Sequence, residues 1–316
     1  PAAGRFWSSR ARSAAAGPRM ENLNLSDLGL PEGVDVQWIK PVEEEPPYAM
    51  LLVAMLLLAV LMVGVTACLF GPPLPPRSGL LRRARGRALL VVAHPDDEAM
   101  FFWPTLLQLH GAGVPLGVLC LSTGGADGLG DVRVKEMRKS CARVGITGED
   151  LVIVDAKDLQ DGFHAWPEEV VASRVLEAAR AQRAGLLLTF DDAGVSGHPN
   201  HVSTSRGVRL AQRLSRGAPA GDGGRAGGLR VLLLETVGLP RKYVGPLSLL
   251  LFYASLDSDD PSRQPAACTC RSPAACLAAL SAHWSQLVWY RVLFTVFSRY
   301  AYLNTYAEQA PAARDD

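Results

Sequence analysis

The chain has few cysteines, few aromatic residues and almost no net charge. Six cysteines among 316 residues are too few for a disulfide scaffold, which indicates a reducing compartment. With 32 basic and 31 acidic residues the net charge is +1, so the chain lacks the dense basic face that binds nucleic acid. Apolar residues make up 48% of the chain, enough to bury a core, which excludes collagen, coiled coils and wholly disordered chains.

One long, strongly apolar run stands out, at residues 49–70, and it contains no charged residue. At ~1.5 Å per residue it is long enough to cross a hydrocarbon core of ~30 Å, so we predict a transmembrane helix. A signal peptide and a lipoprotein signal, the latter suggested by VTAC at 65–68, are alternatives, but both need a basic flank before the apolar run.

Charged residues flank this run with opposite signs on its two sides. The glutamates precede the run and the arginines follow it: Glu43, Glu44 and Glu45, then Arg77, Arg82, Arg83, Arg85 and Arg87. Because basic flanks stay in the cytoplasm, we expect a single-pass protein whose remaining chain is cytosolic.

Composition also predicts the other boundaries. Residues 1–48 are interpreted as a disordered or non-native extension and are left out of the fold argument. Residues 71–87, rich in proline and arginine, are interpreted as a basic linker beside the bilayer. A globular domain is predicted over residues 88–306, with a tail at 307–316.

Apolar runs of strand length alternate with helical patterns across this domain. Strands are predicted at residues 88–93, 114–122, 151–155, 186–190 and 229–235, and helices at 98–109, 132–145, 167–183 and 201–214. This alternation predicts an α/β fold, a Rossmann-like open sheet that is mostly parallel, with helices on both faces.

Two features follow the last predicted strand. The aromatic stretch at 283–306 is interpreted as a helix that covers one edge of the sheet, with a membrane-interface element as the alternative. Cys268, Cys270 and Cys276 match no common zinc-knuckle spacing, so we expect free thiols in a loop.

A first polar cluster directly follows the first predicted strand. It is HPDDE, which contains His94, Asp96, Asp97 and Glu98. Ligands of open α/β sheets bind at the carboxyl ends of the strands, which is where this cluster stands. An aspartate that caps the next helix is the simpler interpretation, but one aspartate is enough for a cap. The grouping of an imidazole with carboxylates therefore favours a metal site with a base beside it.

A second polar cluster follows the strand at 186–190. It is DDAGVSGHPNH, which contains Asp191, Asp192, His198 and His201. If the two strand ends converge, His94, Asp97 and His201 supply two nitrogens and one oxygen. That is the usual make-up of a catalytic zinc site that leaves one position open for water.

Three motifs together resemble the LmbE-like, or PIG-L, zinc deacetylases. They are AHPDDEAMFF at 93–102, G-x-x-R-x-x-E at 130–136 and GVSGHPNH at 194–201. RKY at 241–243, PLSLL at 246–250 and the segment 285–300 are similar to the branch of this family that acts in GPI-anchor synthesis. The long N-terminal extension, the glycine-rich loop after Ser215 and the cysteine-rich segment depart from the family pattern.

The resemblance implies a hydrolase of the endoplasmic reticulum membrane that removes the N-acetyl group from N-acetylglucosaminyl-phosphatidylinositol, a glycolipid. It implies that His94, Asp97 and His201 bind Zn²⁺ or another divalent metal, and that Asp96 is the general base. His198 would stabilise the oxyanion or protonate the leaving amine. A deacetylase of a soluble N-acetylglucosaminide and a catalytically inactive membrane scaffold are the alternatives. The scaffold is disfavoured because all five motif residues are present.

Five further charged residues receive other interpretations. Arg133 and Glu136 are expected to pair on one helix face and shape the wall of the site. Glu98 is expected to favour the start of its helix. Arg241 and Lys242 are expected either to meet the lipid phosphate or to form a solvated surface pair.

Overall fold

A computed structural model describes residues 52, 55, 58, 86–217, 228–255 and 266–310 of the chain. The predicted extension, most of the predicted transmembrane helix, nearly all of the basic linker and the glycine-rich loop lie outside the described residues. Leu52, Met55 and Leu58, within the predicted transmembrane helix, are helical and exposed. Among the residues that the structure describes, no helix has both the length and the apolar character needed to cross a bilayer.

Seven described strands form one open sheet. They are β1 Arg87–Val92, β2 Leu116–Cys120, β3 Leu151–Ile153, β4 Ala184–Phe190, β5 Arg230–Leu234, β6 Ala266–Thr269 and β7 Leu303–Glu308. Their order is β3-β2-β1-β4-β5-β7-β6, and the first five strands in the chain pair in parallel. β7 pairs antiparallel with β5 and with β6. The predicted open α/β sheet, mostly parallel, is confirmed.

Ten α-helices of the described residues accompany the sheet. They are α1 Asp97–Met100, α2 Trp103–Gly111, α3 Gly130–Ala142, α4 Glu168–Ala181, α5 Gly194–Gly197, α6 Pro199–Gly217, α7 Leu239–Lys242, α8 Leu247–Ala254, α9 Pro273–Leu280 and α10 Trp289–Phe297. The single helix predicted at 98–109 is two helices. Pro104 explains the break, because its ring excludes the carbonyl of Met100 and its nitrogen carries no hydrogen to donate.

The central strand β1 is buried on both faces, as its continuous apolar run predicts. Leu90 faces a core layer that includes Leu106 of α2 and Met137 of α3. Leu89 faces the other layer, with Val171 of α4 and Val208 of α6. Complete burial of one such side chain stabilises the fold by ~1.5–3 kcal/mol. The helices that cover both faces therefore keep β1 fixed, and the turn that follows it starts from a rigid position.

The C-terminal part differs from its prediction. Residues 283–306 are not one helix, because α10 ends at Phe297 and β7 then enters the sheet. Cys268 lies in β6 rather than in a loop, although the described cysteines are free thiols, as predicted. β6 and β7 pair across more than thirty residues of chain, so no local pattern indicates either strand.

The order of the strands places a crevice beside β1. This strand lies between β2 and β4. The connection from β1 to β2 packs through α2 on one face of the sheet, and the connection from β4 to β5 packs through α6 on the other. In doubly wound sheets the carboxyl ends of the strands at such a switch point form the ligand site. Both polar clusters follow these strands: HPDDE comes after β1 and DDAGVSGHPNH after β4.

Candidate metal centre

Asp97 begins α1 and is held by the backbone that precedes it. Its Oδ2 accepts hydrogen bonds from the backbone N–H groups of Ala93 and His94 at 3.1 and 2.9 Å. Its Oδ1 lies 3.2 Å from Nε2 of His201. Burial alone raises the pKa of Asp97, but His201 and His94 outweigh burial and lower that pKa to about 2. The carboxylate is therefore an anion with one oxygen anchored and the other directed at the histidines.

His201 lies in the first turn of α6, and its ring is fixed from two sides. Nδ1 donates to the carbonyl of Gly194 at 3.0 Å, and the ring stacks on Phe190 with centroids 4.2 Å apart. Gly194 has a φ of 59°, and a Cβ there would lie 2.8 Å from Cβ of His201, so glycine is required at this close approach. Because Nδ1 is occupied, Nε2 is left to face the crevice.

His94 is fixed through its outer nitrogen. Nε2 lies 3.1 Å from Oδ1 of Asp161 and 3.0 Å from Oδ1 of Asn200. Nδ1 faces inward, 3.3 Å from Nε2 of His201 and 3.7 Å from Oδ2 of Asp97. Burial lowers the pKa of His94, but the carboxylates of Asp161 and Asp97 outweigh it and raise that pKa to about 9. A metal ion must therefore displace a proton from His94.

These three groups fit a divalent metal. A tetrahedral site with ligands at ~2.0–2.1 Å has ligand atoms about 3.3–3.4 Å apart. Nε2 of His201 lies 3.2 Å from Oδ1 of Asp97 and 3.3 Å from Nδ1 of His94, and the anchored Oδ2 of Asp97 lies 3.7 Å from Nδ1 of His94. An outer partner on each histidine ring is also typical of metal sites. A nitrogen of His198 also lies within 4.8 Å of nitrogens of His94 and His201, so His198 stands at the edge of this group.

Asp96 lies beside the ligand set in a strained conformation. Its φ is 128°, which costs a residue other than glycine ~1–3 kcal/mol. Its backbone N–H donates to Oε2 of Glu98 at 3.1 Å, and its carboxylate contacts the guanidinium of Arg291. Burial raises the pKa of Asp96 more than Arg291 lowers it. Its side chain makes no cap hydrogen bond to α1, so the helix-cap interpretation is wrong for this residue.

The half-buried ring of His198 lies at the edge of the candidate ligand set, and it is neutral. Burial and the neighbouring His94 and His201 lower its pKa. Its Nδ1 accepts a hydrogen bond from the backbone N–H of Asn200 at 3.2 Å. The proton of the neutral ring therefore lies on Nε2, which leaves that atom able to donate a hydrogen bond.

The two aspartates of the second cluster do not join the ligand set. Oδ2 of Asp191 accepts from the N–H of Thr236 at 2.6 Å, and Oδ1 accepts from the N–H of Gly194 at 3.1 Å. Asp192 forms an ion pair with Arg209 at 2.8 Å. Asp191 therefore holds the turn that carries the carbonyl partner of His201.

Arg133 and Glu136 do not form the predicted pair. Nη2 of Arg133 donates to Oδ2 of Asp127 at 2.9 Å, and Nη1 lies 3.7 Å from Oδ2 of Asp161. Glu136 accepts from both N–H and Oγ of Ser285 at 2.7 Å. Each side chain is thus bonded to another segment of chain. Arg133 supports the carboxylate that holds His94.

Glu98 and Lys242 have buried partners that the sequence did not indicate. Glu98 does stand at the start of α1, but it is fully buried and lies 2.6 Å from Nε2 of the equally buried His283. Lys242 is only 8% exposed, and its Nζ donates to the carbonyl of Val195 at 3.0 Å. It is therefore not part of a solvated pair. It supports Val195, a β-branched residue at a φ of 61°.

Three residues near the centre were missed from the sequence: Asp161, Asn200 and Arg291. Asn200 stands between the two histidines of GHPNH, a position that indicates a role at the site. Asp161 comes from a segment with no recognisable motif. Arg291 lies in the segment 285–300, whose resemblance to the family gave no role for this residue, so only the folded chain brings either residue to the candidate metal centre.

Comparison with known proteins agrees with this geometry. The profile of the family described as PIG-L: GlcNAc-PI de-N-acetylase matches residues 89–212. The chain is 37% identical over 235 residues to the N-acetylglucosaminyl-phosphatidylinositol de-N-acetylase of Bos taurus, over 73% of this chain and 86% of that protein. The chain belongs to the PIG-L family.

Two further relatives extend this result. A Dictyostelium discoideum protein named probable N-acetylglucosaminyl-phosphatidylinositol de-N-acetylase is 33% identical over 70% of this chain and 93% of its own length. A Schizosaccharomyces pombe protein of the same name is 33% identical over 71% and 87%. The range matched by the PIG-L profile contains the whole ligand set and its outer partners. Arg291 lies outside that range.

Proposed function

We propose that this protein is a zinc-dependent de-N-acetylase of N-acetylglucosaminyl-phosphatidylinositol that produces glucosaminyl-phosphatidylinositol, the second step of GPI-anchor biosynthesis. The observation that carries the proposal is the convergence of His94, Asp97 and His201 within 3.7 Å of one another at the carboxyl ends of β1 and β4. Relatives that are 33% and 37% identical to this chain are named for this activity. Family membership also favours an enzyme over an inactive scaffold.

Zinc suits this donor set of two imidazoles and one carboxylate, which leaves one position for water. When bound there, zinc supplies a water molecule that loses a proton near neutral pH. The protein contributes rigidity, because Asp97 is anchored by two backbone N–H groups, and Gly194 and Asp161 fix the two histidine rings. Phe190 stacks on His201 and limits access of bulk water from that side.

Two residues beside the ligands handle protons and charge during hydrolysis of the amide. Asp96 takes a proton from the attacking water as the oxygen bonds to the acetyl carbon. Nε2 of His198 donates either to the oxyanion that forms on the acetyl oxygen or to the nitrogen as the C–N bond breaks. The products are acetate and the free amine of glucosamine.

The direct test is acetate release from the glycolipid. The purified full chain should release acetate from N-acetylglucosaminyl-phosphatidylinositol, lose this activity with a strong chelator, and regain it with stoichiometric Zn²⁺. A folded, zinc-loaded protein that releases no acetate from the glycolipid would contradict the proposal. Activity confined to a water-soluble N-acetylglucosaminide would favour the soluble-sugar alternative.

We also propose a single-pass protein of the endoplasmic reticulum membrane, anchored by residues 49–70, with its catalytic domain in the cytosol. The support is the arginine-rich flank after residue 70 and the glutamates before residue 49. A glycolipid substrate is confined to the same surface, so the anchor raises the effective concentration of enzyme and substrate without any new contact.

A further inference from the structure

The helix α10 exposes a continuous apolar face. Trp289, Tyr290, Leu293 and Phe297 share that face, and their exposed fractions are 75%, 56%, 46% and 37%. The opposite face carries Arg291, whose guanidinium reaches into the HPDDE turn. A surface helix of a water-soluble domain has the reverse arrangement, with its apolar residues directed at the core. Packing among the described residues therefore does not account for this face.

The apolar surface continues beyond α10. The ring of Tyr243, itself 49% exposed, contacts Phe294 edge to face with centroids 6.4 Å apart. The backbone N–H of Gly245 donates to the carbonyl of Phe297 at 2.8 Å, which fixes the segment after α7 against the end of α10. Trp284, just before α10, is 77% exposed. We define the interfacial face by six residues: Tyr243, Trp284, Trp289, Tyr290, Leu293 and Phe297.

The two segments that form this face contain basic residues but no acidic residues. Residues 239–255 and 284–300 contain Arg241, Lys242, Arg291 and Arg299 but no aspartate or glutamate, whereas the whole chain has 32 basic and 31 acidic residues. Lys242 is buried, Arg291 contacts Asp96 and Arg299 donates to Thr305, so the exposed basic residue of these segments is Arg241. An exposed arginine beside tryptophan and tyrosine, in segments without acidic residues, is typical of a surface that contacts the headgroups of anionic lipids.

We propose that the interfacial face lies in the polar–apolar boundary of a phospholipid bilayer and thereby holds the metal centre close to the lipid surface. The inference rests on the proposed function, because a glycolipid keeps its acyl chains in the bilayer while its N-acetylglucosamine must reach Asp96. The same segment joins face and site: Gln286 Nε2 donates to the carbonyl of Pro95 at 3.0 Å, and Arg291 contacts Asp96.

The first test compares two charge insertions in the full chain. Leu293→Glu places a carboxylate on the interfacial face, and Leu214→Glu makes the same change on α6 at a similar exposure, 53% against 46%. In vesicles of phosphatidylcholine and phosphatidylserine at roughly 4:1, we expect Leu293→Glu to lower turnover of embedded N-acetylglucosaminyl-phosphatidylinositol roughly 10-fold. Turnover of a short-chain, water-soluble analogue should stay within about twofold for both variants, because neither residue touches the metal centre. Equal losses for the two variants on the embedded substrate would overturn the proposal.

A second test needs no substrate. In vesicles that contain brominated phosphatidylcholine, lipid bromine quenches only those tryptophans that reach the bilayer. We expect Trp289→Phe to remove part of the quenching of the full chain, and Trp103→Phe, at a position only 2% exposed, to remove none. Equal quenching of wild type and Trp289→Phe contradicts the bilayer contact. A dimer that Leu293→Glu dissociates, with no quenching of Trp289, would assign the face to a second copy and would also overturn the proposal.

The two tests separate this inference from the proposed function. If the wild type deacetylates neither substrate, the proposed function fails, while the quenching experiment still decides the bilayer contact. If the wild type deacetylates both substrates and Leu293→Glu behaves as Leu214→Glu does, only the bilayer contact is wrong.

Discussion

Each candidate metal ligand has a second partner that decides which of its atoms faces the crevice. Two backbone N–H groups hold Oδ2 of Asp97, the carbonyl of Gly194 holds Nδ1 of His201, and Asp161 holds Nε2 of His94. Such outer partners set the tautomer and the orientation of a ligand, so they affect metal affinity without touching the metal. Substitutions can therefore distinguish a carboxylate that binds the metal from a neighbouring carboxylate that has another role.

Asp96 and Asp97 are adjacent, but substituting them should have different effects on metal binding and turnover. Asp97→Ala should remove both metal and activity, because two histidines alone hold zinc poorly. Asp96→Asn should keep the metal and lower kcat by ~10²-fold or more, since it removes only the base. Metal content by elemental analysis, measured beside acetate release, separates the two outcomes. Loss of zinc from Asp96→Asn would mean that the two carboxylates exchange roles.

Asp161 should act on the metal only through His94. Asp161→Asn keeps the shape of the side chain but removes the charge that holds Nε2, so zinc affinity should fall by roughly 10- to 100-fold. The affinity is measured by competition with a chromogenic chelator. Asp158→Asn, an exposed residue in the same segment, is the matched control and should leave affinity unchanged. Equal affinities for the two variants would show that Asn200 alone orients the ring.

Three residues of the segment 283–291, which runs into α10, contact the HPDDE turn. His283 pairs with Glu98, Gln286 donates to the carbonyl of Pro95, and Arg291 contacts Asp96. The strained φ of Asp96 requires support of this kind, because an isolated turn would relax. The element therefore controls the position of the candidate base, although it contributes no metal ligand.

Arg291 should position Asp96 without affecting the metal. Arg291→Met should lower kcat by roughly 10- to 100-fold, because small misplacements of a catalytic group have effects of that size. Arg291→Lys, which keeps the positive charge, should restore part of the loss, and metal content should match wild type in both. Arg213→Met, an exposed change on α6, serves as the control. No rescue by lysine would indicate a purely structural role.

The pair of Glu98 and His283 should stabilise the fold in a pH-dependent way. Burial lowers the pKa of His283, but Glu98 outweighs it and raises that pKa. The contribution of the charged pair is thus complete below the unfolded histidine pKa of ~6.5 and declines as pH rises through the higher folded value. Glu98→Gln should lower the free energy of unfolding by ~3–5 kcal/mol at about pH 6 and by less at about pH 8.

Urea unfolding at the two pH values measures this difference. Glu177→Gln is the matched control, because Glu177 pairs with Arg174 at 3.1 Å on the surface. That exposed pair should contribute less than ~1 kcal/mol and show little pH dependence over this range. A cost for Glu98→Gln that is equal at both pH values would assign the effect to packing rather than to the charged pair.

The anchor and the catalytic domain together predict the topology of the chain in the membrane. In intact microsomes, protease added outside should digest the domain that contains His94 and spare only the N-terminal segment, because the arginine-rich flank after residue 70 stays cytosolic. Antibodies against each part of the chain would follow the digestion on gels. Protection of the catalytic domain, with digestion restored by detergent, would place it in the lumen and contradict the assignment.

The parallel part of the sheet and the candidate metal ligands are indicated by local sequence. A strand buried on both faces must be a continuous apolar run; His94 and Asp97 stand directly after one such run, and His198 and His201 lie 8 and 11 residues after the end of another. Once the strands pair in parallel, their carboxyl ends meet, so the predicted ligands converge without further information.

Only the tertiary structure decided the remaining features, because each depends on contacts between distant segments. β6 and β7 exist as a pair, and neither has a local signal. Asp161 reaches the site from a loop that no motif marks, and Arg291 from a helix whose family resemblance did not indicate a contact with Asp96. The partners of Arg133, Glu136 and Lys242 also come from other segments of the chain, because a buried charge is unfavourable without a hydrogen-bond or ion-pair partner. Spacing along the sequence predicts which residues are neighbours within one helix or strand. These contacts instead depend on which helices and strands pack together.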